Sequence, residues 1–449
     1  MPSDELFAPI FVPDRVWGAV SGRAWVQAML DAERALARAE AKVGVIPADA
    51  AETIASCCYA ARFDVERLAD EGRSVGNPAE PLVRALVAEA GDAGRYVHWG
   101  ATSQDIVDTA AMLVARTALD EIGGEVGGAA SACAELARTH RETAMTARTL
   151  LQQAVPTTFG LVAAGWLDAL LDVRDRLHTV RSTCLAAQLG GAGGTLAALG
   201  ADGLAVAHAF AEELGLAEPA LPWHTNRVRV GELAGALDIT AGALGKIALD
   251  VTLLAQTEVG EVAEGGDGGG SSAMPQKRNP VGAVLTAAAA RTAHAHAAQL
   301  TGGMPQELQR ATGGWQAEWT ALTGALAFTG GAAASLRETV EHLRVLPERM
   351  ARNLELSGGL LLAEAFAYLL APFVGRPAAQ RFVGEAVGRA EASGRSLAAE
   401  LAADPHVTEH VDVATLEQTL DPRRYLGSAV ELTDRALARY DVEQPGGSR

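Results

Sequence analysis

The chain has 449 residues, enough for about three structural units at roughly 150 residues each. Hydrophobic residues make up 49% and charged residues 20%, which excludes a globally disordered chain, and an aromatic content of 5% argues against a β-sandwich or barrel. A net charge of −18 argues against nucleic acid or an anionic membrane as the main partner, while a few Arg and Lys still suffice for a small anionic substrate.

Long stretches rich in Ala and Leu predict a mostly helical protein. The start, MPSDELFAPI, lacks the basic residues and apolar run of a signal peptide. Cys57, Cys58, Cys133 and Cys184 include no CxxC pair, so neither a disulfide framework nor a zinc site is expected. A soluble, cytoplasmic protein is the expectation. Over residues 22–43, Trp25, Met29, Ala32, Leu36 and Ala39 recur every three or four residues and predict a helix, stopped by Gly44 and Pro47. Shorter helices follow to about residue 95, broken at the turn Gly76-Asn77-Pro78.

Further along, Trp166, Leu170, Val173, Leu177 and Val180 step by four and three, as do Leu233, Leu237, Thr240, Leu244, Ile247, Val251 and Leu254. Such seams suit a bundle of long helices, and a bundle offers apolar faces to other copies. A homo-oligomer is therefore expected, with these two seams as its contacts. Glycine-rich breaks fall at 189–195 and 265–270. The uncharged run Trp319–Leu336 is the best transmembrane candidate, but its three glycines and its neighbours Glu318 and Arg337 favour a buried helix pair. The tail reads as shorter helices. Domain boundaries are expected near 110 and 345, giving an N-terminal helical domain 1–110, a central long-helix bundle 111–345 and a C-terminal helical domain 346–449.

Two segments carry chemistry. The first is GGDGGGSSAMPQKRNP, residues 265–280. Five glycines around one Asp predict a lid-like loop, and backbone N–H groups beside small residues, with Lys277 close by, suit an anion. A flexible linker is the rival reading, but the clustering of Met274-Pro275 with Lys277-Arg278-Asn279-Pro280 speaks against it. A P-loop would need Gly before Lys277 and Ser or Thr after it, and finds Gln276 and Arg278. The glycines at 190–200 miss the GxGxxG spacing because Leu196 takes the last position. His406, Glu409 and His410 fit HxxEH but lack a third ligand, and no metal is expected. The second segment is YVHWGATSQDIVDT, residues 96–109, where Thr102, Ser103 and Gln104 precede an apolar run. A helix cap is the plain reading of these residues alone, although a helix N-terminus also favours a carboxylate.

GSSAMPQKRNP (270–280) resembles the signature of the fumarase/aspartase superfamily, and HWGATSQDIVDTA (98–110) resembles its Thr-Ser segment. ARTLLQQAVPTTFG (147–160), LGGAGGTLAALG (189–200), PWHTNR (222–227) and MPQELQRATGGWQAEW (304–319) extend the likeness. It runs from ALARAEA near residue 35 to DPRRYLG at 421–427, and is strongest to the lactone-forming cycloisomerases of aromatic degradation. The resemblance implies an all-α, long-bundle fold and a homotetramer in which each site draws on three subunits. It also implies a carboxylate substrate and no cofactor. By position it makes Ser271 the acid/base, while Lys277 and Asn279 hold the substrate carboxylate and its enolised form. Thr102 and Ser103, and the turn Gly76-Asn77, become substrate-binding, with Gln152, Thr195, Arg227 and Arg310 at positions similar to substrate contacts in related lyases.

That chemistry suits these residue types. Addition or elimination next to a carboxylate passes through an aci-carboxylate, and donors aimed at its extra charge are the largest contribution to catalysis. Leu150 and Phe63 stand where fumarase or adenylosuccinate lyase carries His, which weighs against a C–N lyase. Which group, if any, serves as the second acid/base is thereby left open; His98 and His224 are the candidates, with a structural His as the plain reading of each. Besides a cycloisomerase, a C–N lyase acting on a substituted succinate and a non-catalytic superfamily member are the alternatives. Intact Ser271, Lys277 and Asn279 speak against the last.

Overall fold

The structure, a computed structural model, describes residues 6–265, 274 and 277–443. Ser271 and most of the glycine run before it lie outside the described residues. Nineteen α-helices and four short strands occur among the described residues, so the all-α expectation holds. The helix read from the sequence is α1, Gly22–Val43. Ser21 caps it by accepting from the Ala24 N–H at 3.2 Å, and Gly44 ends it with φ 92°.

Besides α1, five helices exceed the usual length: α2 (Ser103–Thr139), α3 (Phe159–Thr183), α4 (Val228–Ala255), α5 (Val281–Gly302) and α6 (Gly314–Glu341). With 37 residues, α2 is about 55 Å long at 1.5 Å per residue. The run Trp319–Leu336 lies in α6, a single helix rather than the expected pair, and most of it is buried. No single helix among the described residues is long and apolar enough to cross a membrane.

By its contacts the chain divides into two units: residues 1–127, 172–248 and 284–337 form one, and residues 128–171, 249–283 and 338–449 the other. Each of the five long helices passes from one unit into the other.

Every seam residue from Trp166 to Val180 and from Leu233 to Leu254 is buried within the chain itself. This corrects the expectation that the seams meet other copies, because apolar surface already spent inside the chain is not available outside it. The exposed apolar residues of α4 and α5 are different ones, among them Ile239, Leu249 and Val284.

The second unit also holds the strands. β1 (Ala144–Thr149) and β2 (Gln152–Thr158) form an antiparallel hairpin with a register shift between Thr146 and Arg148. Its two-residue turn is Leu150-Leu151, with φ of 52° and 65° and side chains 96% and 70% exposed. Such a turn asks for positive φ twice, and leucine adopts it at a cost of about 1–2 kcal/mol per residue. β3 (Val262–Glu264) pairs with β4 (Leu343–Val345). The C-terminal helices close a core of their own around Leu354, Phe366, Leu370, Leu397 and Leu401.

Candidate active site

The first unit builds its polar centre on the start of α2. Every residue from Gln104 to Ala115 is buried, and the polar ones are Gln104, Asp105, Asp108 and Thr109. Their spacing of one, three and four residues puts them on one stripe of the helix.

Asp105 sits three residues after Thr102 and closes the cap in reverse, accepting from the Thr102 N–H at 3.0 Å. The same carboxylate accepts from the N–H groups of Gly190 (3.0 Å) and Gly191 (2.9 Å) and pairs with His224 Nε2 at 2.7 Å. Asp105 thus fastens the Thr102-Ser103 turn to the 189–195 loop. That fastening needs glycine at one point above all. A Cβ on Gly191, whose φ is 69°, would lie 2.9 Å from the Gly100 carbonyl oxygen.

One turn on, Asp108 receives Arg227 through Nη1 (2.9 Å) and Nη2 (3.1 Å), with Gln104 (3.1 Å) and Trp315 (3.0 Å) as further donors. Arg227 also donates from Nε to Glu318 at 3.0 Å and bonds the other oxygen of that carboxylate through Nη2. Burial works against the Arg227 charge, but Asp108 and Glu318 outweigh it and hold its pKa above the ordinary value. Arg227, expected as a substrate contact, is 3% exposed in this chain and bonds two internal carboxylates.

Arg310 is half-buried and donates to Gln104 Oε1 and to the Ala192 carbonyl, each at 2.9 Å. It braces the same loop, whose Thr195 is exposed. Thr102 and Ser103 are half-buried. Gly76 ends the helix Val65–Val75 with φ 76°, and Asn77 Oδ1 accepts from Ala79 N and Glu80 N at 3.1 Å to start the next. Of the two histidines, His224 is buried on Asp105. His98 is half-buried, has φ 60°, and holds Glu33 through Nδ1 at 2.6 Å. Burial would lower its pKa, but Glu33 and then Asp105 raise it above the ordinary value.

The second unit carries Gln152, Lys277 and Asn279. Gln152 is exposed at the hairpin turn, Lys277 is exposed, and Asn279 is half-buried just ahead of α5. The Lys277 N–H donates to the Met274 carbonyl at 3.0 Å. The same unit holds Glu261, fully buried, which accepts from Arg148 Nη1 and Nη2 at 2.8 Å each and from Asn353 Nδ2 at 2.7 Å. His406 and His410 stack on Phe382 and Phe373.

Among the residues that the motif reading passed over are Asp105, Asp108, Glu261, Glu264 and Glu318. Asp105 alone had a readable signal, the Thr-x-x-Asp capping pattern.

Residues 12–293 match the lyase family, and residues 359–436 match the adenylosuccinate lyase C-terminus. The chain is 45% identical to 3-carboxy-cis,cis-muconate cycloisomerase of Bradyrhizobium diazoefficiens, over 96% of this chain and 97% of that one. It is 44% identical to nitrosuccinate lyase of Streptomyces davaonensis, over 98% and 96%. The crystal structure of 3-carboxy-cis,cis-muconate lactonizing enzyme from Pseudomonas putida superposes with a TM-score of 0.92 at 41% identity, covering 97% of this chain and 99% of that one. With matching motifs, helical fold and near-complete coverage, the chain belongs to the lyase family of the fumarase/aspartase superfamily.

Proposed function

We propose that the protein is a 3-carboxy-cis,cis-muconate cycloisomerase that closes a carboxymuconolactone during aromatic degradation in the cytoplasm. The observation that carries this reading is agreement in both sequence and fold, over nearly the whole chain, with enzymes of that name.

In the reaction a substrate carboxylate oxygen bonds to an alkene carbon, and the π pair moves toward the neighbouring carboxyl as an aci-carboxylate. A proton then bonds to the adjacent carbon. Ser271 is assigned the proton transfer, with Lys277 and Asn279 facing the enolised carboxylate. The start of α2 at Thr102-Ser103 is assigned another carboxylate, because a helix N-terminus favours one, and Asp105 holds that turn through the Thr102 N–H. Gln152, Thr195, Arg310 and the Gly76-Asn77 turn complete the substrate contacts, and orientation of the diene chain contributes several kcal/mol. The chemistry asks for no cofactor.

A homotetramer with shared sites completes the proposal. The exposed Ile239, Leu249 and Val284 suit contacts between copies. The second reading is elimination from a substituted succinate, favoured by the 44% identity to nitrosuccinate lyase. Assaying loss of diene absorbance from 3-carboxymuconate beside nitrite release from nitrosuccinate separates the two. Faster turnover of nitrosuccinate would overturn the first reading.

A further inference from the structure

The signature segment leaves β3 at Glu264 and enters α5 at Gly282, and one side chain joins those two points. Glu264 Oε2 accepts from the Gly282 N–H at 2.9 Å and Oε1 from the Ala283 N–H at 2.8 Å. Both N–H groups belong to the first turn of α5, where no helical carbonyl is available to them and where a negative charge is favoured. The junction is tight. A Cβ on Gly282 would stand 2.2 Å from Thr339 Oγ1 and 3.4 Å from Glu264 Oε2.

Three residues earlier, Glu261 anchors the same stem from its other side. It binds Arg148 of the hairpin and Asn353 of the helix Pro347–Glu355, while its carbonyl accepts from the Leu346 N–H at 3.0 Å. The register shift between Thr146 and Arg148 turns the hairpin backbone at the residue that meets Glu261. Both ends of the segment bearing Lys277 and Asn279 are thereby set in one frame.

We propose that Glu264 is a positioning residue for the reaction: by clipping the start of α5 to the end of β3 it fixes where Lys277 and Asn279 present their donors. The inference rests on the reading that Lys277 and Asn279 hold the substrate carboxylate. Glu264 touches no substrate and acts through them. A carboxylate is suited to the task because it accepts from both N–H groups at once. An amide in its place turns an N–H₂ toward one of them.

The test is a double-mutant cycle of Glu264→Gln and Lys277→Ala, run on whichever substrate the wild type turns over, with kcat and KM determined separately. Glu264→Gln is expected to lower kcat/KM at least tenfold, with unfolding temperature close to wild type. In the Lys277→Ala background the same change is expected to cost several-fold less than in the wild type, since one of the two residues through which it acts is gone. Multiplying losses, or a Glu264→Gln enzyme within twofold of wild type, would overturn the proposal. Should Glu264→Gln not fold, Glu264→Asp and Gly282→Ala disturb the same junction and enter the cycle in its place. If the wild type prefers nitrosuccinate, the reading of the substrate fails while the cycle still decides the role of Glu264.

Discussion

Arg227 and Asp108 meet through two hydrogen bonds of 2.9 and 3.1 Å, with both side chains withdrawn from water. Glu318 shares the same cation, so one guanidinium neutralises two buried carboxylates in part. Removing a partner from such a cluster costs far more than the cluster itself contributes. Arg227→Ala is expected to destabilise the protein by about 3–5 kcal/mol, read as a fall in urea midpoint. Arg227→Lys should lie between it and wild type, because an ammonium cannot reproduce the two-pronged contact. Equal stability of Arg227→Ala and wild type would contradict the geometry.

Glu40 on α1 is fully buried, and neither of its carboxylate oxygens has a hydrogen-bond partner among the described residues. Burial, with Glu33 nearby as a second cause, pushes its pKa up to about 9. The folded state then holds a proton that the unfolded state releases at ordinary carboxyl pH. Stability must fall as pH rises from there through about 9. Glu40→Gln, neutral at every pH, should unfold at a temperature several degrees above wild type near pH 9 and close to it at about pH 5. Thermal unfolding across pH checks the crossing.

The N-terminal segment lies close against α6. A Cβ on Gly331 would fall 2.1 Å from the Phe11 carbonyl oxygen, and one on Gly330 would fall 2.5 Å from Val16 Cγ1. Gly331→Ala is expected to cost about 1–3 kcal/mol through displaced backbone, and Gly330→Ala less because a side chain yields more readily. Gly165 of α3, where an added Cβ would meet nothing within 4 Å, serves as the tolerant control. Urea unfolding of the three alanine variants checks the order.

Ser271→Ala should lower kcat by two or more orders of magnitude with little change in KM, as expected for a group acting in the proton transfer. Mixed with a Thr102→Ala/Ser103→Ala variant under subunit exchange, it should regain part of the activity, because some shared sites inherit only intact segments. Confirmed exchange without rescue would show that each site is built within one chain.

The sequence announced the helices most clearly where one apolar stripe repeated, as in α1 between Ser21 and Gly44. It misdirected where the same periodicity had two possible partners. The α4 seam, Leu233 to Leu254, looks identical whether it packs inside the chain or against another copy, and only the folded chain shows it spent internally. Motif residues at a helix start, Thr102 and Ser103, were legible because capping is local. Arg227 was not, since its two carboxylate partners lie 119 and 91 positions away in the chain. Glu261 and Glu264 were passed over for a related reason. Their work is done on segments brought to them by the fold, and an isolated Glu in or just before a short strand carries no local mark.

The two leucines at the hairpin turn combine a strained backbone with an exposed apolar surface, and the two features answer to different selections. Asn-Gly adopts the double positive φ of positions 150 and 151 at little cost, so a library selected only for survival on heating would drift toward Leu150→Asn and Leu151→Gly. Each replacement would also strip an exposed apolar side chain from the turn beside Gln152. Selection on lactone formation would act on that lost surface rather than on the relieved backbone. Engineers stabilising this enzyme should therefore leave these two residues out of consensus-driven libraries.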